Sequence, residues 1–240
     1  MSQREVAATS KTQSRGGATG KSDQGRTRAD LQRERLLRTA AEIFSRRGYR
    51  GTSMIDIATL MGLSKPTLYH YYRSKEELLV QLYENVLDES LSSAREIVSD
   101  ASTPREALHA LIASRVAYTC EHRELLTVFF EEEAELPPEL AESVLRRRRE
   151  FEDIVTRVVV QVLKESEGDL ETPVRVYVNT CLGAANWVYK WYNPKGPLSP
   201  QELGRDIATL MIRSLPPVDD RRDGTRRRRT SASEKSTPQP

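Results

Sequence analysis

Basic, hydroxyl and aromatic side chains crowd residues 62–79, GLSKPTLYHYYRSKEELL, at a spacing typical of a short helix. Ser64 is a favourable N-cap, and Pro66 follows where a missing backbone N–H costs nothing, so a helix is predicted to begin there. Only Leu68 and Tyr72 share an inward face, which leaves the polar side chains outside. Because such side chains hydrogen-bond to base edges and phosphates, the stretch is predicted to contact something outside the protein.

A second short helix is predicted directly before this one, in GTSMIDIATLMG (51–62). Ser53 caps it with Asp56 at the fourth position, and a glycine ends it. Two short helices joined by a tight glycine-containing turn form a helix-turn-helix, whose second helix enters the major groove of DNA. The alternative is an ordinary corner of two helices in an enzyme, which the basic first segment and the exposed second helix disfavour. The residues expected to share the inward face of the first helix are Ile57, Leu60 and Met61.

Charge is divided unevenly along the chain, although the 240 residues sum to only +2. Residues 1–75 contain fifteen Lys/Arg and six Asp/Glu, whereas residues 76–215 contain fifteen and twenty-five. A basic front end on an acidic body favours a polyanionic partner for the front end alone. The alternative is an uneven surface charge without any partner.

The composition excludes several classes of protein. No apolar run is long enough to span a membrane, and the basic N-terminus lacks the apolar core of a signal peptide. Cys120 and Cys181 lack the spacing of a zinc or redox motif, and EEEAE (131–135) has only His122 nearby as a further metal ligand. We therefore expect a cytoplasmic protein with reduced thiols and no metal. RRRR (146–149) is expected to form a solvated helix face.

Apolar residues between the two ends follow helical spacing almost throughout, and no period-two strand is evident. About nine helices, and therefore an all-α fold, are predicted. Residues 30–75 are assigned to a helix-turn-helix domain and residues 76–215 to a helical body. The polar ends, 1–29 and 216–240, are predicted to be disordered.

Two further helix starts have the pattern of a capping box, at Ser74 with Glu77 and at Ser199 with Glu202. Lys75 follows the first of these caps directly, where a positive charge is unfavourable for the helix dipole. Contact between this ammonium group and a DNA phosphate would explain the position.

The stretch TSMIDIATLMGLSKPTLYHYYRSKEELL resembles the DNA-binding signature of TetR-type transcriptional regulators. The family spacing T/S-x-x-x-I-A…G-[LV]-S-x-x-T-L-Y-x-x-[FY]-x-x-K-x-x-L is intact, and the match covers about residues 30–90. The resemblance implies three helices that bind DNA and about six that form a ligand-binding and dimerising body. Members of this family act as homodimers, usually as repressors that a small molecule releases from operator DNA.

The DNA contacts of the family carry over onto matching positions of this sequence. The resemblance implies that the second helix of the motif reads the major groove, while Lys75 contributes sequence-independent affinity through a phosphate. Ser53 is implied to contact a phosphate from the start of its helix, and His70 is expected to reach the DNA backbone. The implied DNA-binding residues are Ser53, Lys65, Pro66, Thr67, Tyr69, His70, Tyr71 and Lys75.

A second resemblance concerns NWVYKWYNPKGPLSPQEL (186–203), which is similar to the end of the eighth helix in regulators of fatty-acid, phenylacetate and steroid breakdown. It implies an acyl-CoA thioester as effector and control of lipid or aromatic catabolism. The aromatic cluster of this stretch could line a pocket mouth opposite other helices. Alternatively, Trp187 and Trp191 pack in the core or in a dimer seam. The candidate ligand-binding residues are Arg115, Tyr118, Phe129, Phe130, Asn186, Trp187 and Trp191.

Two other functions compete with a ligand-responsive regulator. A constitutive DNA-architectural protein would use the same DNA-binding helices without any effector. An enzyme with an incidental helix-turn-helix would need convergent titratable groups, and the sequence shows neither a Ser/His/Asp arrangement nor a Gly-rich phosphate loop. The chain is therefore predicted not to be an enzyme and to need no cofactor besides the small-molecule effector.

Overall fold

The computed structural model describes residues 27–217, and every regular element in that range is a helix. The predicted all-α fold with nine α-helices is therefore confirmed for these residues. A short 3-10 turn, Glu133–Glu135, joins the sixth helix to the seventh. None of the described helices is both long and apolar enough to span a bilayer. The α-helices are α1 (Arg28–Arg47), α2 (Met54–Met61), α3 (Lys65–Tyr71), α4 (Lys75–Asp100), α5 (Pro104–Glu121), α6 (Arg123–Glu131), α7 (Pro138–Lys164), α8 (Val174–Trp191) and α9 (Pro200–Arg213).

Most of the two polar ends, predicted to be disordered, lies outside the described residues. The predicted N-terminal tail of residues 1–29 is nevertheless slightly too long, because α1 already begins at Arg28. Thr27 provides the cap, since its side chain accepts the backbone N–H of Asp30 at 3.2 Å.

Side-chain caps fix the starts of α2 and α9 as the sequence predicts. The backbone N–H of Ser53 donates to the Asp56 carboxylate at 2.8 Å, and the Asp56 N–H donates to the Ser53 hydroxyl at 3.2 Å. Ser199 and Glu202 form the equivalent pair of hydrogen bonds at α9. These reciprocal bonds satisfy backbone donors that have no partner inside the helix.

The capping box predicted at α4 forms only in part. The hydroxyl of Ser74 accepts the N–H of Glu77 at 3.1 Å, as expected. The Glu77 carboxylate, however, reaches past Ser74 and accepts the N–H of Arg73 at 2.6 Å. Glu77 consequently ties the connection between α3 and α4 to the first turn of α4.

Helices α2 and α3 pack against one apolar face of α1. Leu68 of α3 is fully buried against that face together with Ile57 of α2. Leu60, which was expected to point inward, is 63% exposed instead. Only one side of the eight-residue α2 meets its neighbours, and one residue of helix turns Leu60 about 100° from Met61. The α1 residues that form the apolar face are Leu36, Leu37, Ala40, Ala41, Ile43 and Phe44.

The core of these three helices continues without a break into the rest of the chain. Tyr83 of α4, Leu126 and Phe129 of α6 belong to the same buried cluster as α1 and α3. The 26-residue α4 passes from this cluster into a second one, formed with α5, α7, α8 and α9. The three N-terminal helices and the body therefore share apolar contacts, and the boundary at residue 75 remains a prediction.

Helices α5 and α9 of the body approach each other closely. A Cβ on Gly204 of α9 would lie 2.5 Å from the carbonyl oxygen of Ala113 in α5. Only glycine fits at this crossing without moving the backbone. The crossing fixes α9 on α5, which forms one wall of the cavities described below.

Candidate functional site

The seven-residue α3 is attached to the protein by a narrow apolar base. Ser64 caps it by accepting the N–H of Thr67 at 3.3 Å, and the Ser64 and Thr67 hydroxyls lie 2.7 Å apart. Leu68 is completely buried, and Tyr72 at the end of α3 is nearly so. With Leu68 as the one fully buried side chain of α3, the rest of the helix is free to meet another molecule.

The structure exposes the side chains of α3 that the sequence predicts to be outward. Lys65, Thr67 and His70 are exposed, and Tyr69 has 39% of its surface accessible. The amino group of Lys65 lies 5.7 Å from the centre of the Tyr69 ring. These side chains form one continuous surface, with Pro66 exposed beside them and Tyr71 half-buried at its edge.

Ser53 lies at the start of α2, beside the carboxylate of Asp56. Hydrogen bonds from Ser53, chiefly from its hydroxyl, lower the pKa of that carboxylate. An ionised carboxylate satisfies the helix N-terminus that a phosphate would otherwise approach. The contact between Ser53 and a phosphate stays a prediction, and the negative charge of Asp56 beside Ser53 opposes it.

Lys75 has a partner within the protein that the sequence did not indicate. Its ammonium group donates to the carbonyl oxygen of Tyr49 at 2.8 Å and lies 4.1 Å from the centre of the Tyr49 ring. A positive charge at the start of α4 is thus compensated by a carbonyl dipole and a π face. Because an ammonium group has three N–H donors, this arrangement leaves donors that could bind a phosphate.

Tyr49, in the connection between α1 and α2, is also bound from the opposite side. Its backbone N–H donates to the Glu132 carboxylate at 2.9 Å, and its neighbour Arg50 forms an ion pair with Glu135 at 2.8 Å. The Tyr49 ring is buried against Phe44. Burial, with smaller effects from nearby glutamates, raises the pKa of its hydroxyl to about 12. Residues 131–135, here called the acidic segment, therefore hold the start of the helix-turn-helix.

The acidic segment is bound to the body through Arg148 of α7. The Arg148 guanidinium pairs with Glu133 and donates to the carbonyl oxygen of Phe129 at 3.3 Å. It also lies 4.6 Å from the centre of the Phe129 ring. The run RRRR was predicted to be a solvated face, but Arg148 is half-buried here and Arg147 pairs with Asp88. That prediction was wrong for these two residues.

A cavity of about 290 Å³ lies between α4, α5, α6, α7 and α8. The structure brings four of the predicted ligand-binding residues together on its walls, namely Arg115, Phe129, Phe130 and Asn186. Arg148 lines the same cavity, which connects the acidic segment directly to this space. The volume lies near the lower end of the range for small-molecule sites.

Tyr118 lines a smaller cavity of about 40 Å³ that shares the Arg115 wall. Its hydroxyl donates to the Glu89 carboxylate at 2.7 Å, and burial, assisted by Glu89, raises its pKa. Tyr118 therefore borders the larger cavity through Arg115 rather than lining it.

Trp187 and Trp191 do not belong to the cavity walls. Their exposed fractions are 59% and 54%, so they do not pack in the core of the single chain, and neither lines a described cavity. Their placement at a pocket mouth or in a dimer seam stays a prediction. Tyr189 and Tyr192, between and beside them, are buried instead. A helix turns about 100° per residue, so alternate members of an aromatic run point in nearly opposite directions.

The two tryptophans continue an exposed face along the whole of α8. Its members follow helical spacing and lie on the side away from the core. Leu210 of α9 is also exposed, at 62%. This outer face, called the α8 stripe, consists of Val176, Thr180, Gly183, Trp187 and Trp191.

A further cleft, of about 510 Å³, separates α1 and α4 from the end of α5 and the start of α6. Its walls carry more carboxylates than basic groups. The basic side chains among the lining residues are those of Arg38 and His122. An anionic compound would be repelled there. The carboxylates are those of Glu34, Glu42, Glu89, Glu121 and Glu124.

Sequence reasoning missed the residues that connect these sites. Glu132 and Glu133 were considered only as metal ligands, and Ser90, which contacts Arg115 at 2.9 Å, was not considered. A run of acidic residues before two prolines gives no sign of which basic groups it faces. Their partners lie 15 or more residues away in the chain, since Arg148 follows Glu133 by 15 and Glu132 follows Tyr49 by 83.

Comparisons with known proteins identify both parts of the chain. Residues 36–82 match the family described as bacterial regulatory proteins, tetR family, and residues 101–215 match the Tetracyclin repressor-like, C-terminal domain. The crystal structure of a TetR/AcrR-family transcriptional regulator from Thermobifida fusca is 32% identical. That match covers 76% of this chain and 97% of the other, with a TM-score of 0.59.

Two further relatives resemble the chain over most of its length. The HTH-type transcriptional repressor KstR2 of Mycolicibacterium smegmatis is 28% identical, over 75% of this chain and 89% of its own. The crystal structure of AibR in complex with isovaleryl coenzyme A and operator DNA is 27% identical. It covers 78% of this chain and 99% of AibR, with a TM-score of 0.64. The chain belongs to the TetR family of bacterial transcriptional regulators.

Proposed function

We propose that this chain is a homodimeric, cytoplasmic repressor that binds operator DNA through α3 and leaves it when a small molecule occupies the cavity beside Arg115. The observation that carries the proposal is the exposure of α3, which is held by Leu68 and Tyr72 while its polar side chains point away from the core. This is the arrangement that a recognition helix needs to enter a major groove. The protein would have no catalytic role.

The exposed side chains of α3 supply the sequence-specific contacts in this proposal. Lys65, Thr67 and Tyr69 lie on the outward surface, from which they reach base edges, with Pro66, His70 and Tyr71 beside them. Each bidentate contact to a base contributes about 1–3 kcal/mol of discrimination. Lys75 and Ser53 contribute phosphate contacts, which weaken as the salt concentration rises.

A second copy of the chain covers the α8 stripe in this proposal. Two tryptophans more than half exposed on one helix face form an apolar surface that a soluble protein rarely leaves uncovered. Gly183 allows a partner helix to approach closely, since nothing lies within 4 Å of where its Cβ would be. The pair would place two α3 helices about 34–36 Å apart, one turn of DNA.

A CoA thioester is the effector that the relatives favour. AibR was crystallised with isovaleryl coenzyme A, and KstR2 of Mycobacterium tuberculosis is described as a ketosteroid transcriptional regulator. The cavity beside Arg115 and Arg148 has basic and aromatic walls, whereas the cleft beside α1 is acidic. We assign the acyl group of the effector to the cavity beside Arg115. The biological role that we propose is control of lipid or aromatic catabolism.

The acidic segment provides a route from the cavity to α3. An effector that contacts Arg148 competes with Glu133 for the guanidinium, and Glu133 is adjacent to the residue that holds Tyr49. Release of Tyr49 loosens the connection between α1 and α2 and, through Lys75, the start of α4. The effector must bind this released conformation better, because equal affinity for both shifts nothing.

Replacing Tyr69 with Ala tests the assignment of the recognition helix. We expect a loss of operator affinity of about tenfold or more, the equivalent of one base contact, with an unchanged thermal unfolding temperature. Fluorescence anisotropy on a selected operator duplex measures the affinity. Val98→Ala, an exposed position far along α4, is the control and should bind normally. Unaltered sequence-specific binding by Tyr69→Ala would refute the assignment.

Glu132→Ala tests the proposed route by removing the acceptor for the Tyr49 amide. We expect the amides of residues 48–52 to exchange hydrogen roughly tenfold faster, because a hydrogen bond to a charged group contributes about 1.5–3 kcal/mol. Operator affinity should fall as well. Glu139→Ala, at an exposed position in the first turn of α7, should change neither quantity. Unchanged exchange at residues 48–52 would show that the acidic segment does not hold this connection.

Trp187→Glu tests the α8 stripe as the dimer interface. Two buried charges facing each other across a symmetric contact are expected to convert the dimer into a monomer and to abolish tight operator binding. Sedimentation velocity measures the oligomeric state, and circular dichroism checks that the helices persist. Leu145→Glu, a comparable change on the exposed side of α7, should leave the dimer intact. A Trp187→Glu protein that remains dimeric places the interface elsewhere.

A further inference from the structure

Arg115 of α5 carries a positive charge that no described carboxylate neutralises at ion-pair distance. Its Nε donates to Asn186 Oδ1 at 2.8 Å, and its Nη1 donates to Ser90 Oγ at 2.9 Å. Both acceptors are neutral. Burial is the largest influence on the guanidinium and lowers its pKa to about 10, so the charge is held in an unfavourable environment. Arg115 is half-buried, and charges withdrawn from water are normally paired, because transfer of an unpaired ion out of water is costly.

The unused donors of Arg115 lie where a ligand would be. Nη2 donates to no described residue, and the side chain lines both the cavity of about 290 Å³ and the adjoining one of about 40 Å³. The rings of Tyr118 and Phe151 flank the guanidinium, with centres 5.9 Å and 5.8 Å from its Cζ. The group is therefore held in place with free N–H donors at a cavity wall.

Other charged groups at these cavities do not take the role of counter-ion. Glu89 accepts the hydroxyl of Tyr118 at 2.7 Å, and Glu152 lines the larger cavity without reaching Arg115. Arg148 adds a second positive charge to the larger cavity, although Glu133 pairs with it. The charge of Arg115, which has only neutral hydrogen-bond partners, thus favours an anion, and the planar guanidinium matches a carboxylate in two hydrogen bonds.

From this geometry we infer that the cavity binds an amphipathic carboxylate, whose oxygens pair with Arg115 while its apolar part packs against Phe129, Phe130 and Phe151. The inference rests on the proposed function in one respect, namely that this cavity is the effector site. A cavity of about 290 Å³ accommodates an acid of modest size and not a whole CoA nucleotide. In a CoA thioester, the group at Arg115 is consequently a second carboxylate on the acyl chain.

Matched acids and amides test this inference on the full-length protein. Octanoate and 4-phenylbutyrate differ from octanamide and 4-phenylbutyramide in the charge of one terminal group. Calorimetric titration of wild-type protein should show that each acid binds roughly tenfold or more tightly than its amide. Arg115→Gln should remove this preference, and Arg115→Lys, which keeps the charge without the bidentate geometry, should retain part of it.

Arg205→Gln, a change of the same type at an exposed position of α9, is the control and should leave the preference unchanged. Equal binding of acid and amide, no binding of either pair at millimolar concentration, or undiminished acid binding by Arg115→Gln would each overturn the inference. If Arg115→Gln does not fold, the wild-type comparison and Arg115→Lys still decide the question.

Failure of this inference is distinguishable from failure of the proposed function. If isovaleryl-CoA releases operator DNA while the acids bind no more tightly than their amides, the regulator is effector-controlled and the carboxylate assignment is wrong. If the acids bind through Arg115 but neither they nor isovaleryl-CoA change operator affinity, the carboxylate site stands and the regulatory role assigned to it falls.

Discussion

The backbone of Tyr49 is bound from two sides, and the position of the DNA-binding helices depends on both contacts. Glu132, from the body, accepts its N–H at 2.9 Å, while Lys75, from the start of α4, donates to its carbonyl oxygen at 2.8 Å. The backbone of one residue therefore joins the acidic segment, the connection between α1 and α2, and the long helix that enters the body. Charge-assisted hydrogen bonds of this kind are directional as well as strong, so they fix an orientation that apolar packing alone leaves loose.

Such a fixed junction matters because α3 cannot position itself. A seven-residue helix is too short to be stable alone, and with Leu68 as its one fully buried side chain it depends on α1, α2 and α4 for its direction. Every side chain exposed for DNA is one that does not anchor the helix. The apolar core shared by α1, α3, α4 and α6 provides the remaining support, and its α6 edge borders the cavity through Phe129. Occupancy of the cavity and the direction of α3 are thus connected over a short path of packed residues and ion pairs.

Local rules were sufficient to predict the DNA-binding part. Ser53, Ser64 and the glycine after α2 act through hydrogen bonds and backbone angles within a few residues, which a sequence pattern contains directly. The same is true of the inward pair, Leu68 and Tyr72. The exposure of Leu60 and of the two tryptophans was not predictable in this way, because burial depends on which neighbouring helix packs against each face, and helical spacing does not supply that information.

The candidate cavity was predictable only as a set of residues without a geometry. Arg115 and Asn186 were expected together and lie 2.8 Å apart through Nε and Oδ1. That no carboxylate among the described residues lies at ion-pair distance from Arg115 is, however, a property of the packed helices. The acidic segment was similarly visible as composition, whereas its partner Tyr49 comes from the α1–α2 connection and its partner Arg148 from α7. Contacts over such separations follow from the fold rather than from local spacing.

A distance measurement between the two recognition helices of a dimer tests the central claim most directly. Spin labels are attached at His70→Cys in a protein whose buried Cys120 and Cys181 have been replaced. Pulsed electron paramagnetic resonance then measures the distance in this protein and in the same protein with Glu132→Ala added. The account predicts a narrow distribution near the spacing of one DNA turn, about 34–36 Å, that broadens or shifts when Glu132 no longer holds Tyr49. An identical narrow distribution in both proteins would show that this junction does not orient α3 and would contradict the account.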